Sequence, residues 1–192
     1  MASAPSPAPV VAYVSFSAEI NQTTTEGLLA AIAELLQKGN RTIYLMLSTP
    51  GGNVQNGVTI YNILRSLPVK LITHNVGNVD SIGNVIFLAG AERYATKHST
   101  FMFHGVSFNS VAPESQDEKL LRERMAAVKI EHKRLASIIA ERAGLKAEEV
   151  EKWFAEAVTR DPDDAKANGI IHDIRDIQVP AGAPFYQLAF KR

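Results

Sequence analysis

Short apolar runs and stretches whose apolar residues recur at a period near 3.6 take turns along this chain, and the switch between them repeats. Val10 to Phe16 reads as a first strand; Leu28, Ile32, Leu35 and Leu36 then recur at helical spacing, and Gly39 ends that run where a left-handed cap is wanted. Thr23-Thr24-Thr25-Glu26 has the Thr-x-x-Glu spacing of a capping box and predicts the helix start. Thr42 to Leu47 fits a buried strand. Asn53 caps a second predicted helix through Leu67, Pro68 ends it, and Val69 to Thr73 supplies another strand. Strands and helices joined by short links predict an α/β fold of repeated parallel β-α-β units, whose ligand sites lie beyond the carboxyl ends of the strands.

Two strand ends carry candidate chemistry: Pro50-Gly51-Gly52, and Gly77-Asn78-Val79-Asp80-Ser81. Ser81 to Gly90 is nearly all apolar and predicts a buried helix that begins on a serine. That serine is either the helix N-cap or a nucleophile held at a strand-to-helix turn, with the helix N-terminus stabilising nearby negative charge. Phe101-Met102-Phe103-His104 ends an apolar strand on a candidate general base, although a histidine in that setting is also a common hydrogen-bonded core residue. Ser115 to Arg142 predicts one charged helix about 40 Å long. Leu121, Met125, Val128, His132, Leu135 and Ile139 make a seam along it, which lies on the chain's own core or projects into a partner. Asp161-Pro162-Asp163-Asp164 has the form of a helix start, and Gly169 lies beyond that helix's end.

Composition narrows the possibilities. A chain of 192 residues with 46% apolar content buries one substantial core, so residues 10–192 are expected to form a single domain behind a flexible Pro/Ala/Ser tail at 1–9. Twenty Lys and Arg balance twenty Asp and Glu with no long run of either sign, which leaves no footprint for nucleic acid or an anionic membrane. The absence of cysteine excludes disulfides, thiolate ligands and a Cys nucleophile. The five histidines, His74, His98, His104, His132 and His172, show no zinc spacing, so neither a metal nor another cofactor is expected. MASAPSPAPV has no signal-peptide pattern, no stretch reaches membrane-span length, and the expected location is cytoplasmic.

STPGGNVQNGVTIYNIL, the turn GNVDSIGN, the segment AERYATKHSTFMFH and the long helix after it resemble, in order, the proteolytic subunit of the Clp protease family, over about Tyr44 to Ile174. Gly52 precedes Ser81 by 81 − 52 = 29 residues, the spacing that family requires. The resemblance implies the ClpP/crotonase fold with a protruding handle-type helix, and a serine peptidase working through an acyl-enzyme in a self-compartmentalising ring of identical subunits. Ser81 would be the nucleophile, His104 its general base, and the N–H groups of Gly52 and Ile82 the oxyanion hole. The substrate would be a peptide or unfolded protein. The family's third catalytic residue, an aspartate, falls on Ala157, leaving Glu156, Asp161 or Asp80 as a relocated acid. The family also has a longer amino-terminal segment that forms axial loops; here the Pro/Ala tail leads directly into the first strand, which makes an ATP-driven unfoldase partner doubtful. The chain has no P-loop of its own. Two other classes stay open, a non-hydrolytic structural subunit of such a ring and a crotonase-type enzyme acting on an acyl-CoA thioester.

Overall fold

The computed structural model of the chain describes residues 11–107 and 117–190, so the expected 1–9 tail, Val10 and Ser115 lie outside the described residues. β1 (Val11–Ser17) leads into α1 (Gln22–Gln37), β2 (Thr42–Thr49) into α2 (Val54–Ser66), and β3 (Lys70–Asp80) into the short α3 (Gly83–Phe87). β1, β2 and β3 pair in parallel in that spatial order, which makes α1 and α2 crossovers between neighbouring strands. β4 (Glu92–Ala95), β5 (Thr100–Met102), β7 (Asp173–Ile174) and β8 (Phe185–Gln187) extend the parallel sheet, and β6 (Thr159–Arg160) adds an antiparallel edge beside β5. The predicted α/β class is therefore the observed one.

Pairing Ala12 with Ile43, Val14 with Leu45 and Phe16 with Leu47 sends all six side chains to one face of the sheet. There they form one continuous core with Leu28, Ile32 and Leu35 of α1 and Ile60 of α2. Each of these fully buried Val, Leu, Ile and Phe side chains contributes roughly 1.5–3 kcal/mol. The α1 start differs from the expected capping box. Asn21 is the N-cap: its Oδ1 accepts from the Thr24 N–H at 3.0 Å, while Thr24 Oγ1 accepts from the Asn21 N–H at 3.0 Å. Ile20 is held by two backbone bonds to the Gly51–Asn53 turn, so the helix has to begin directly after it. Gly39 lies at φ 85 beyond the helix end, as its position suggested.

The opposite face of the sheet carries a row of aromatic and polar side chains. Tyr13 stacks on Tyr44 at 5.1 Å, and Tyr44 Oη lies 2.7 Å from Nδ1 of the fully buried His74. Beyond His74, Tyr94 carries the Arg175 guanidinium 3.6 Å above its ring. Burial holds the His74 imidazole neutral, with its pKa pushed down to about 4, and pushes the Tyr44 phenol up to about 12. The unfolded chain therefore binds a proton at His74 that the folded chain refuses between about pH 6.5 and pH 4. Stability is expected to fall as pH falls through that window, by up to about 3 kcal/mol from this group. Denaturant midpoints at pH 7 and pH 4.5 measure the loss, and His74→Leu should flatten it. An equal loss in the variant would assign the acid sensitivity elsewhere.

β3 runs well past the expected Thr73, because it forks. Its first half pairs β4 from Ile72 to Asn75, and its last three residues, Asn78 to Asp80, pair β5 instead. Asn75 pins the fork, its Nδ2 donating to the Thr100 carbonyl at 2.7 Å and its Oδ1 accepting from the Gly77 N–H at 3.0 Å. This change of partner carries the strand end and Ser81 across to Met102.

α4 (Glu118–Ala143), α5 (Ala147–Glu156) and α6 (Pro162–Ala167) follow. Asp117 and Asp161 cap α4 and α6 through their Oδ1 atoms at 2.8 Å. At ~39 Å, α4 outruns the core. Leu135, Ala136, Ile139 and Ala140 are buried, with α4 packed on α5 and α3, but the seam residues Leu121 and Met125 are 45% and 60% exposed, as is Ile130 outside the seam at 66%. The seam thus divides into a packed half and an open half. Behind α3 the buried Arg93 guanidinium donates to the carbonyls of Gly90, Arg142, Gly169 and Ile170, tying the ends of α3, α4 and α6 together. Among the described residues no helix is long and apolar enough to cross a membrane.

Candidate active site

Ser81 occupies the one-residue step between β3 and the turn into α3, and it does so at φ 56, in the left-handed region. A non-glycine residue held there costs roughly 1–3 kcal/mol, so the surroundings must impose it. They do so through the backbone. The Ser81 N–H donates to the Met102 carbonyl at 2.7 Å, and the Ser81 carbonyl accepts from both the N–H and the Nδ2 of Asn84, each at 3.1 Å. Asn84 Nδ2 also donates to the Met102 carbonyl at 2.7 Å, so one buried amide locks both sides of the turn.

The hydroxyl is left out of this network. No hydrogen bond among the described residues uses Ser81 Oγ, and the N-cap of α3 is Ile82, without a side-chain cap. The structure thus departs from the N-cap alternative for Ser81, and the expected helix from Ser81 to Gly90 shrinks to Gly83–Phe87 between turns. The physical cause is the same in both cases. A capping side chain reaches the first free N–H groups of a helix from a β-region backbone, and Ser81 stands instead at φ 56 with no cap bond to α3.

The glycines at the end of β2 face this turn. Gly51 stands at φ 88, and a Cβ on it would come within 2.6 Å of the Ser81 Cβ. Gly52 stands at φ 141, where a Cβ would lie 2.3 Å from the Ile20 carbonyl oxygen. The Asn53 N–H and the Gly51 carbonyl are both bonded to Ile20, which leaves the Gly52 N–H between them without an acceptor among the described residues. The Ile82 N–H likewise has none. Ser81, Ile82, Gly52 and His104 all line one cavity of ≈ 70 Å³, closed by Leu135, Ile139 and Phe154. No hydrogen bond joins Ser81 to His104. A wider groove of ≈ 510 Å³ continues from Gly52 past Val106 and Ser107.

His104 is oriented by its own neighbour. Its Nδ1 lies 2.8 Å from the Gly105 carbonyl oxygen, and a carbonyl can only accept, so in the neutral ring the proton sits on Nδ1 and the lone pair on Nε2. The segment is fixed on its far side by the end of α5, where the Phe103 N–H donates to the Val158 carbonyl at 2.9 Å and the Gly105 N–H to Phe154 at 3.2 Å. Ala157 forms the left-handed cap of α5 in that same turn, at φ 53, and its methyl is exposed. None of the three candidate acids bonds to His104. Asp80 accepts from Asn78 Nδ2 at 2.6 Å, Asp161 caps α6, and Glu156 is an exposed residue at the end of α5.

The sequence reading missed Gly105 as a site residue and placed His132 only in the α4 seam. His132 Nε2 accepts from the Val106 N–H at 2.7 Å, directly beside the catalytic candidate. Its signal was present as the one ionisable residue in an otherwise apolar seam. Among the described residues no group of three or more His, Asp or Glu side chains is arranged to hold a metal ion.

A family model described as Clp protease matches residues 11–178. The ATP-dependent Clp protease proteolytic subunit 3 of Streptomyces avermitilis is 28% identical over 165 residues, which covers 82% of this chain and 70% of that protein. A solved ClpP1 mutant from Listeria monocytogenes superimposes with a TM-score of 0.78 at 22% identity, covering 86% of this chain and 92% of that one.

Proposed function

The chain belongs to the Clp protease family, and from that premise we propose that it is a serine-type peptidase acting through an acyl-enzyme in a closed cytoplasmic ring of identical subunits. The observation that carries the reading is Ser81: a non-glycine residue at φ 56 whose hydroxyl has no partner among the described residues, in one cavity with an oriented imidazole and two N–H groups that likewise have no acceptor among them. Ser81 Oγ attacks the scissile carbonyl carbon while His104 Nε2 takes its proton. The oxygen of that carbonyl becomes negative and accepts from the N–H groups of Gly52 and Ile82, and Gly52 holds its place in the turn because it has no Cβ to meet the Ile20 carbonyl oxygen. His104 then returns the proton to the departing amine, and water repeats the sequence to release the acyl group. The groove beyond Gly52 gives room for the peptide chain to one side of the scissile bond. Purified protein mixed with an activated peptide ester should release a burst of about one leaving group per subunit before steady turnover. Turnover with no burst, or no turnover above the Ser81→Ala background, contradicts the reading.

A second reading rests on the vacancy at Ala157 and on the missing bond between Ser81 and His104: a subunit that keeps the assembly and has lost most of its turnover. Both readings require the ring. The open half of α4, with Leu121, Met125 and Ile130 facing water in the isolated subunit, supports a contact between subunits. Met125 is 60% exposed in the subunit, so Met125→Glu leaves the monomer fold intact and places a charge in the contact. Sedimentation should show the variant as smaller particles than the wild type. Equal particle size would remove α4 from the assembly surface.

A further inference from the structure

We propose that His132 is a positioning residue for catalysis, acting on His104 through the single peptide group between Gly105 and Val106. The carbonyl of that group takes the His104 Nδ1–H at 2.8 Å, and its N–H is given to His132 Nε2 at 2.7 Å. The two histidines therefore bracket one amide plane from opposite edges. Each partner has only one possible role. The carbonyl accepts, which in the neutral His104 ring puts the proton on Nδ1 and the lone pair on Nε2; the N–H donates, which leaves His132 Nε2 unprotonated with its proton on Nδ1.

The arrangement does two things that an acid at position 157 would otherwise do in part. Bonding its N–H polarises the amide and makes the Gly105 oxygen a stronger acceptor, because hydrogen bonds in a chain reinforce one another. The His132 ring also fixes the amide in space. A Cβ on Gly105 would lie 2.7 Å from His132 Nε2 and 2.9 Å from its Cε1, so the backbone has been brought against the ring as closely as glycine permits. The ring is itself seated between α4, just before the buried Leu135 and Ala136, and Phe154 of α5 at 5.8 Å. What His132 cannot supply is negative charge for the imidazolium, so it replaces the orienting role of an aspartate and not its electrostatic one.

This inference rests on reading Ser81 and His104 as nucleophile and base. Its test compares wild type, His132→Leu and His132→Gln, with Ser81→Ala as the separate control for that reading. The Gln carbonyl can still accept from the Val106 N–H; Leu cannot. Turnover of a peptide ester and the ¹⁵N NMR tautomer signals of His104 are read in parallel. For His132→Leu, kcat should fall by between about 10-fold and the roughly 10⁴-fold that a wrong tautomer costs in the serine-protease template, with KM little changed. The His104 spectrum should move from the Nδ1–H form to a mixture, and His132→Gln should recover most of both losses. Wild-type kcat in His132→Leu overturns the proposal, as do equal losses in the Leu and Gln variants or an unchanged His104 tautomer. The tautomer readout needs no turnover, so it decides on His132 even where Ser81→Ala shows that hydrolysis arises elsewhere.

Discussion

Ser81→Ala is expected to lower kcat by between about 10² and 10⁶, and the size of the ratio reports how well His104 is oriented. In the serine-protease template, losing the nucleophile costs about 10⁶ in kcat, and losing the acid's control of the imidazole costs about 10⁴. An enzyme with no orienting group at all would already have forfeited the second factor, leaving only about 10² to lose at Ser81. The Gly105 carbonyl holds the correct tautomer, so the ratio should lie well above that floor. Alanine is suited to the measurement because it inherits the φ 56 strain and the Met102 and Asn84 bonds, which involve only the Ser81 backbone. Ser81→Gly would also remove that strain and should stabilise the fold by roughly 1 kcal/mol while being equally inactive. Equal turnover in wild type and Ser81→Ala, measured on the same peptide ester, would sink the peptidase reading.

Ala157→Asp is expected to raise kcat by at least about 10-fold, with a ceiling near the 10⁴ that the template assigns to its aspartate. Ala157 already sits in the left-handed region at φ 53, which Asp tolerates better than Ala, and its side chain is exposed, so neither strain nor overpacking opposes the change. The turn that holds it is bonded to Phe103 and Gly105 on either side of His104. An introduced carboxylate there acts mainly once the imidazole becomes cationic, after Ser81 has given up its proton, so the gain should appear in kcat and leave KM nearly unchanged. Ala157→Asn separates the two contributions of the acid. It offers an acceptor without charge and should gain much less. Alanine at Asp80, Glu156 or Asp161 should have little effect on turnover, since none bonds to His104, although Asp161→Ala loses a helix cap worth about 1 kcal/mol. No gain at position 157 together with a large loss at one of these acids would identify a relocated triad member.

The alternation of strands and helices was legible because the inner strands are buried and read as apolar runs, as Thr42 to Leu47 does. The second half of β3 was not. Asn75, Gly77 and Asn78 are breakers in any local reading, and only the fork between β4 and β5 gives them a strand role. β4 to β8 run from two to four residues each, too short to carry a period. The proposed roles of Gly52, Ser81 and His104 came from the family resemblance that their residue types and spacing carried, and the three residues line one cavity. The group that orients His104 was invisible for the opposite reason: a backbone carbonyl has no residue type, and Gly105 gives no sign of which atom it presents. His132 illustrates a further limit. Its spacing placed it in the seam of α4, yet spacing alone does not distinguish a seam position from a hydrogen bond to the loop beside it.

Treating the intact protein with a fluorophosphonate and mapping the adduct by mass spectrometry tests most directly whether Ser81 is an activated nucleophile. The expected result is one covalent adduct per subunit, located on Ser81 and formed far more slowly in His104→Ala. A folded protein that takes up no adduct, or one that is labelled on a different serine, would contradict it.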